Sequence, residues 1–174
     1  MDNKNEPYNF SWDDLGDIEL GRPNLGPMMD LVCYRLMEYT FKDVLSKEFG
    51  NEKTKEIFIA AGRLAGEQFC KNMLNVDLSF EELISDIEQK LIDLKMGILR
   101  VEKADLENGT FTLTVSEDLD CSGLPISGET VCDYDEGFLA GILSVYSGKD
   151  CVVKEIDCWA TGDRTCRFEA RLLG

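Results

Sequence analysis

The sequence predicts an α+β fold in which helices pack against an antiparallel sheet. Three segments between residues 27 and 95 repeat apolar residues at helical spacing, and residues 98–116 then alternate apolar and polar residues around a turn. One more helical segment and two strand-like segments follow. Because three helices, two strands, one helix and two strands occur in this order, we expect the helices to cover an antiparallel sheet.

Length and charge limit the possible functions. The 174 residues are enough for one compact domain, and we expect a loosely ordered segment at 1–19 followed by a single domain at 20–174. A formal net charge of −16 disfavours nucleic acid as a partner. A signal peptide and a long apolar run are both missing from the sequence, so we expect a cytoplasmic protein that does not bind membranes.

The first predicted helix starts near Pro27 and ends before Gly50. Asn51 is expected to cap the second, which carries Gly62 and Gly66 one turn apart, a spacing that suits close packing against another element. The apolar residues that recur at helical spacing on the first helix are Met28, Leu31, Val32, Leu36, Tyr39 and Phe49.

The third predicted helix has the clearest start. Ser79 and Glu82 form a capping box, and Leu78 and Leu83 occupy the two positions of a hydrophobic staple. The helix is expected to end near Lys95.

A hairpin follows, because Asn108 and Gly109 are typical of a tight turn between strands. Phe111, Leu113 and Val115 alternate with polar residues, which predicts one buried face.

The next segment, residues 117–134, is rich in Asp, Ser, Gly and Pro, which predicts a crossing loop that carries Cys121 and Cys132. Asp135 is expected to cap a short helix that ends at Gly148. The last two predicted strands are Val152–Trp159 and Cys166–Leu172.

The chain has seven cysteines and no histidine. Without a signal peptide, cysteines serve metals or packing more often than disulfides. The absence of histidine removes the usual general base, the Ser-His and Cys-His nucleophile pairs and a histidine-ligated haem. We therefore expect a protein that binds rather than catalyses.

Four acidic or thiol side chains can form a metal site. Cys158 and Cys166 flank the last turn, Glu155 lies three residues earlier, and Cys132 precedes the short helix. Three thiolates and one carboxylate can complete a tetrahedral zinc shell of structural character. Glu155 and Cys158 point to opposite faces of a regular strand, so the site needs a bulge near Asp157. From spacing alone, small buried hydrophobic cysteines are an equal alternative.

The remaining cysteines have other predicted roles. Cys33 and Cys70 lie in helical patterns and are expected in the core, and Cys151 is expected to serve packing. Cys121, on the loop, is expected to be a free or exchangeable thiol.

Two segments, 131–141 and 155–168, resemble the 4-vinyl-reductase-type (hydrocarbon-binding) domain family, and 61–66 resembles its second-helix signature. The resemblance spans roughly residues 20 to 172. It implies a fold similar to TRAPP tethering subunits and to haem nitric-oxide sensor domains, and a homodimer by analogy. In phenol-sensing relatives the matching positions bind zinc, which assigns zinc to Cys132, Glu155, Cys158 and Cys166.

Those relatives hold the phenol hydroxyl with a histidine and a tryptophan. This chain has no histidine, and Phe111 falls near the tryptophan position, so the resemblance implies a more apolar ligand. The same side chains can equally form a filled core. The expected pocket residues are Phe58, Phe69, Leu83, Ile87, Phe111, Phe138 and Ile142.

The leading hypothesis is a zinc-stabilised, non-catalytic sensor or carrier domain for a small hydrophobic molecule, which would signal through a partner protein. An assembly or scaffold subunit that acts through protein contacts is the first alternative. An accessory factor in tetrapyrrole reduction is the second, disfavoured because the sequence has no nicotinamide or flavin fingerprint.

Overall fold

The computed structural model describes residues 7–174, and within that range five α-helices accompany a four-stranded antiparallel sheet of order β1-β2-β4-β3. The predicted α+β fold is confirmed. Residues 1–6 of the predicted loose segment lie outside the described range. None of the helices in residues 7–174 combines the length and apolar character needed to cross a membrane. The elements are α1 (Ile18–Gly21), α2 (Leu31–Phe49), α3 (Asn51–Met73), α4 (Phe80–Asp93), β1 (Ile98–Asp105), β2 (Thr110–Ser116), α5 (Asp133–Ser147), β3 (Cys151–Asp157) and β4 (Cys166–Leu172).

Helix α2 begins later than predicted and turns its apolar face outward. It begins at Leu31 because the Asp30 carboxylate accepts a hydrogen bond from the Val32 backbone N–H, at 3.0 Å. Met28 therefore precedes the helix. Several of the apolar residues that predict this helix are between 42% and 66% exposed. These are Leu31, Val32, Leu36 and Phe49.

The face of α2 that meets the rest of the protein is polar. The Tyr34 hydroxyl donates to the Asp120 carboxylate at 2.9 Å, and the Tyr39 hydroxyl donates to the Asp120 carbonyl at 3.0 Å. Arg35 Nε donates to the Leu119 carbonyl at 2.9 Å. Because these partners lie more than 80 residues further along the chain, apolar spacing within α2 could not reveal its orientation.

Helices α3 and α5 pack with almost no space between their backbones. A Cβ on Gly62 would lie 2.0 Å from the Tyr134 carbonyl oxygen, and one on Gly137 would lie 2.0 Å from the Ile59 carbonyl oxygen. Glycine is required because any side chain would force the helices apart. The close packing predicted from the paired glycines of α3 is confirmed.

The start of α4 and the first hairpin match their predictions. Ser79 and Glu82 form the capping box, although α4 ends at Asp93, slightly before the predicted end. Strands β1 and β2 pair antiparallel, and the predicted face of β2 is buried, with Leu113 and Val115 at most 7% exposed.

Helix α5 begins earlier than predicted. Its N-cap is Cys132 rather than Asp135, because the Glu136 backbone N–H already bonds the Cys132 carbonyl at 3.1 Å. Gly148 ends the helix in the left-handed conformation, as predicted.

A bulge interrupts β3 beside β4, where the sequence requires one. Glu155 pairs with Phe168 and Asp157 pairs with Arg167, so two steps along β3 match one step along β4. As a result, Glu155 and Cys158 are both buried although they lie three residues apart.

Candidate functional site

Four cysteine sulfurs meet at one end of the sheet. Cys121 comes from the loop before α5, Cys132 caps α5, Cys158 follows β3 and Cys166 begins β4. All four side chains are at most 1% exposed, and their Sγ atoms lie within 4.8 Å of one another. The Cys132 Sγ atom is 3.8 Å from the Sγ atoms of Cys158 and Cys166, and the Cys121 and Cys166 Sγ atoms are 3.1 Å apart.

The two separations of 3.8 Å match sulfurs around a tetrahedral zinc ion, whereas the Cys121–Cys166 separation of 3.1 Å is shorter than that geometry gives. With Zn–S bonds of about 2.3 Å, tetrahedral geometry separates the sulfurs by about 3.8 Å. A disulfide requires about 2.05 Å, so the four cysteines are free thiols. Hydrogen bonds from the Cys121, Cys132 and Cys166 thiols lower the pKa of Cys158, which favours a thiolate at the centre of the group.

Glu155 lies beside the four sulfurs but is not part of the group whose donors lie within 4.8 Å. Its Oε2 atom accepts a hydrogen bond from the Cys132 backbone N–H at 3.0 Å, while its buried Oε1 atom has no hydrogen-bond partner among the described residues. Burial raises the pKa of Glu155 to about 8, and the negative charge of Cys158 acts in the same direction.

Three of the predicted metal residues therefore converge, and Cys121 joins them instead of standing free. The loop brings Cys121 inward because the Asp118 carboxylate accepts hydrogen bonds from the Asp120 and Cys121 backbone N–H groups, at 2.8 and 3.1 Å. An aspartate followed by such a turn is a recognisable local signal. It identifies a turn before Cys121, not the direction in which the thiol points.

Of the other cysteines, Cys70 and Cys151 are buried, as predicted. Cys33 is exposed, so its assignment to the core is wrong. It lies on α2, whose inward face is occupied by polar side chains.

A second feature is an apolar cleft of about 550 Å³ between α2 and α3. The Phe41 and Phe58 rings lie next to each other in its wall, with centroids 6.5 Å apart and planes inclined by 44°. Its lining residues are Tyr34, Met37, Glu38, Phe41, Ile57, Phe58, Ala61, Met96, Leu119 and Tyr134.

The predicted pocket residues are distributed among several places. Phe58 lines this cleft, Phe138 borders a cavity of about 30 Å³ beside it, and Phe111 lines a separate pocket of about 560 Å³ on the sheet. The remaining four are packed in the core: Phe69, Leu83, Ile87 and Ile142. Sequence reasoning missed Met37 and Phe41, whose spacing of four residues on α2 was a signal that both share a face.

Buried acidic groups lie next to the apolar cleft. Glu38 is 9% exposed and lines the cleft, and Asp120 is 2% exposed and borders the small cavity. Burial, with the Asp120 charge second, raises the pKa of Glu38 to about 8. Burial, with the Asp118 charge second, raises the pKa of Asp120 to about 7.

The family model for the vinyl-4-reductase domain matches residues 111–172, which include β2, α5, β3 and β4. The uncharacterized protein MJ1642 of Methanocaldococcus jannaschii is 38% identical over 151 residues, 86% of this chain and 81% of that relative. The chain belongs to the vinyl-4-reductase domain family. The predicted family is thus confirmed, and the matched range contains two of the segments that carry the resemblance, 131–141 and 155–168.

Solved structures share the fold of this vinyl-4-reductase family protein. A vinyl-4-reductase family protein from Methanocaldococcus jannaschii aligns with a TM-score of 0.65 and 16% identity, covering 97% of this chain and 100% of that one. The phenol-responsive sensory domain of the transcription activator PoxR, with phenol, aligns with a TM-score of 0.65 and 14% identity. The alignment covers 84% of this chain and 76% of that one. A trafficking protein particle complex subunit 3 from Naegleria fowleri, covalently bound to palmitic acid, aligns with a TM-score of 0.61 and 11% identity. The alignment covers 83% of this chain and 98% of that one. The predicted likeness to tethering subunits is confirmed at the level of fold.

Proposed function

We propose that this vinyl-4-reductase family protein is a sensor or carrier domain that binds a small hydrophobic molecule in the cleft between α2 and α3. The cleft carries the proposal. Its volume of about 550 Å³ is within the range typical of small-molecule sites, and its walls are mainly aromatic and aliphatic. PoxR and the trafficking subunit, which share the fold, are described with phenol and with palmitic acid.

Exposed apolar side chains in the cleft favour the binding of a hydrophobic ligand, because the ligand would remove their surface from water. Met37 is 64% exposed and Phe41 is 57% exposed on successive turns of the same face of α2. A ligand that lies against these side chains and Phe58 in the cleft would cover this surface, and each Å² of covered apolar area contributes roughly 25 cal/mol. Affinity in the micromolar range is within reach of such burial.

We infer that Cys121, Cys132, Cys158 and Cys166 hold a zinc ion with a structural role. Four thiolates fill the coordination shell, leaving no position for a substrate, so the metal supplies folding energy and no Lewis-acid catalysis. Glu155 would then position Cys132 through its backbone N–H. Reduced thiols are needed for this role, which supports the expected cytoplasmic location.

The metal cluster and the cleft share a loop. Cys121 belongs to the cluster, whereas Leu119 lines the cleft and accepts the hydrogen bond from Arg35. A ligand that displaces α2 would therefore pull on a loop anchored by the metal. Through this loop, binding of a ligand in the cleft could change the position of α2 and the surface around it.

Filling the cleft with a protein side chain tests the binding site. Ala61 lines the cleft and is exposed, so Ala61→Trp should occupy the space without disturbing the core. We expect wild-type protein to bind the uncharged dye N-phenyl-1-naphthylamine with a fluorescence increase, and Ala61→Trp to weaken its affinity at least ~10-fold. Fluorescence titration measures both.

The matched control is Ala60→Trp, which places the same side chain on the neighbouring exposed position of α3 outside the residues that line the cleft. It should bind the dye as wild type does. Equal affinities for all three proteins would show that the dye binds elsewhere.

The outward face of α2 favours a second candidate function, assembly through protein contacts. Val32 and Leu36 lie one turn apart and are 65% and 66% exposed. Adjacent exposed apolar side chains of this size often mark an interface. We propose that a second copy of the chain covers them, giving the homodimer expected from the family resemblance.

Charge on that face should separate the copies. Leu36→Glu is expected to convert a dimer into a monomer with a similar melting temperature, because the side chain makes few contacts within one chain. Size-exclusion chromatography with light scattering measures the mass. Leu106→Glu, at a 64% exposed position of the first hairpin, is the control and should remain dimeric. A wild-type protein that is monomeric at high concentration contradicts self-association.

A further inference from the structure

The carboxyl group of Glu38 lies in the wall of an apolar cleft. A site that binds purely apolar molecules does not need an ionisable group in its wall. From its surroundings we propose that the cleft selects hydrophobic molecules that carry a positively charged amine, with Glu38 as the group that binds the ammonium. The inference rests on the proposed function and specifies its ligand class.

Glu38 is 9% exposed, and its Oε2 atom has no hydrogen-bond partner among residues 7–174. A buried polar oxygen without a partner destabilises the protein unless something binds it. Because Glu38 lines the cleft between α2 and α3, a ligand in that space can supply the missing donor.

The nearby cationic side chains are bound elsewhere. The Arg35 guanidinium donates to the carbonyl oxygens of Leu119 and Ser122, both at 2.9 Å. The Lys42 ammonium donates to the Asp133 carboxylate at 3.1 Å. Within the described part of the chain, both cations act on Glu38 only through their field, and neither bonds its carboxyl group.

The small cavity beside the cleft adds to the negative field. Asp118, Asp120 and Asp135 border it, and Asp120 and Asp135 each keep one buried oxygen without a partner in the described range. Tyr34 lines both spaces and donates its hydroxyl to Asp120 at 2.9 Å. The Tyr34 side chain, which borders both spaces, therefore connects these carboxyl groups to the cleft.

This arrangement discriminates among ligands of equal apolar length. An ammonium group would bond Glu38 and reduce the repulsion among the buried carboxyl groups. A hydroxyl group could bond without a charge, and a carboxylate would add to the repulsion. We expect the order amine, alcohol, carboxylate, with the amine ~10-fold or more tighter than the alcohol because hydrogen bonds between charged groups are the stronger ones.

Isothermal titration calorimetry with octylamine, octan-1-ol and octanoate tests this order on the full chain at pH 9, where Glu38, with its pKa of about 8, is mainly ionised and octylamine is still protonated. Glu38→Gln should weaken octylamine at least ~10-fold and leave octan-1-ol nearly unchanged. Glu48→Gln removes the same charge from an exposed position of α2 and controls for attraction to the acidic surface. The Glu48→Gln protein should bind octylamine in preference to octan-1-ol and octanoate, as the wild type does, at low and at high salt.

The wild-type series alone decides the inference if Glu38→Gln fails to fold. The inference is wrong if octanoate binds as tightly as octylamine, or if a folded Glu38→Gln protein binds octylamine with unchanged affinity. In either case, binding of octan-1-ol leaves the proposed function in place. If none of the three probes binds, and the uncharged dye does not bind either, the proposed function itself is wrong.

Discussion

Cys121→Ser is expected to retain little of the zinc proposed for the wild-type site and to have a free energy of unfolding lower than wild type by about 3 kcal/mol or more. The Cys121 sulfur is one of four within 4.8 Å of one another, and it belongs to a loop with little regular structure. Without its thiolate, the metal would no longer tie this loop to α5 and to the ends of β3 and β4. Inductively coupled plasma mass spectrometry gives the metal content, and denaturant unfolding gives the stability.

Two variants distinguish the possible coordination shells. Glu155→Gln should keep its zinc, because a glutamine oxygen can still accept the hydrogen bond from the Cys132 N–H. Cys70→Ser changes a buried thiol outside the cluster and should also keep its zinc. If Glu155→Gln loses the metal and Cys121→Ser retains it, the shell is Cys132, Glu155, Cys158 and Cys166. Wild-type protein purified without metal, with unchanged stability after zinc addition, contradicts the metal site altogether.

Much of the fold was predictable because its signals are local. The capping box of Ser79 and Glu82 satisfies backbone groups within three residues, and the alternation of β2 depends only on neighbouring positions. The bulge near Asp157 was predictable for a different reason. Burying Glu155 and Cys158 together requires an irregular strand, whatever the rest of the fold does.

The orientation of α2 was not predictable, because it depends on contacts that are distant in the chain. Helical spacing identified an apolar stripe, and such a stripe usually faces the core. Here Tyr34, Arg35 and Tyr39, the last of which belongs to the stripe, make hydrogen bonds to the loop near Asp120 that hold α2 in place. Polar groups with specific partners outweigh the apolar stripe.

The fourth sulfur was missed for a similar reason. Cys121 follows a segment without helical or strand periodicity, so no pattern indicated the direction of its side chain. The turn made by Asp118 sets that direction, since its carboxylate binds the Cys121 N–H. The cleft was missed together with the orientation of α2, because Met37 and Phe41 line a space that exists only when α2 lies beside α3.

Gly66→Ala is expected to destabilise the protein by more than about 3 kcal/mol. The added Cβ would lie 2.0 Å from the Phe138 carbonyl oxygen and 2.8 Å from the carbonyl carbon. Backbone atoms within α5 cannot move individually, so the helices must separate. Since α3 carries Phe58 of the cleft and α5 begins at the Cys132 cap, separation would disturb both candidate sites.

The sign of this effect tests the packing directly. Alanine favours a helix over glycine by about 1 kcal/mol, so Gly66→Ala would stabilise the protein if α3 were free at this position. Gly21→Ala, at the end of α1 with no atom within 4 Å of the added Cβ, is the matched control and should change stability by less than about 1 kcal/mol. Urea unfolding of both variants provides the comparison. A Gly66→Ala protein as stable as wild type would mean that α3 and α5 lie further apart than their paired glycines require.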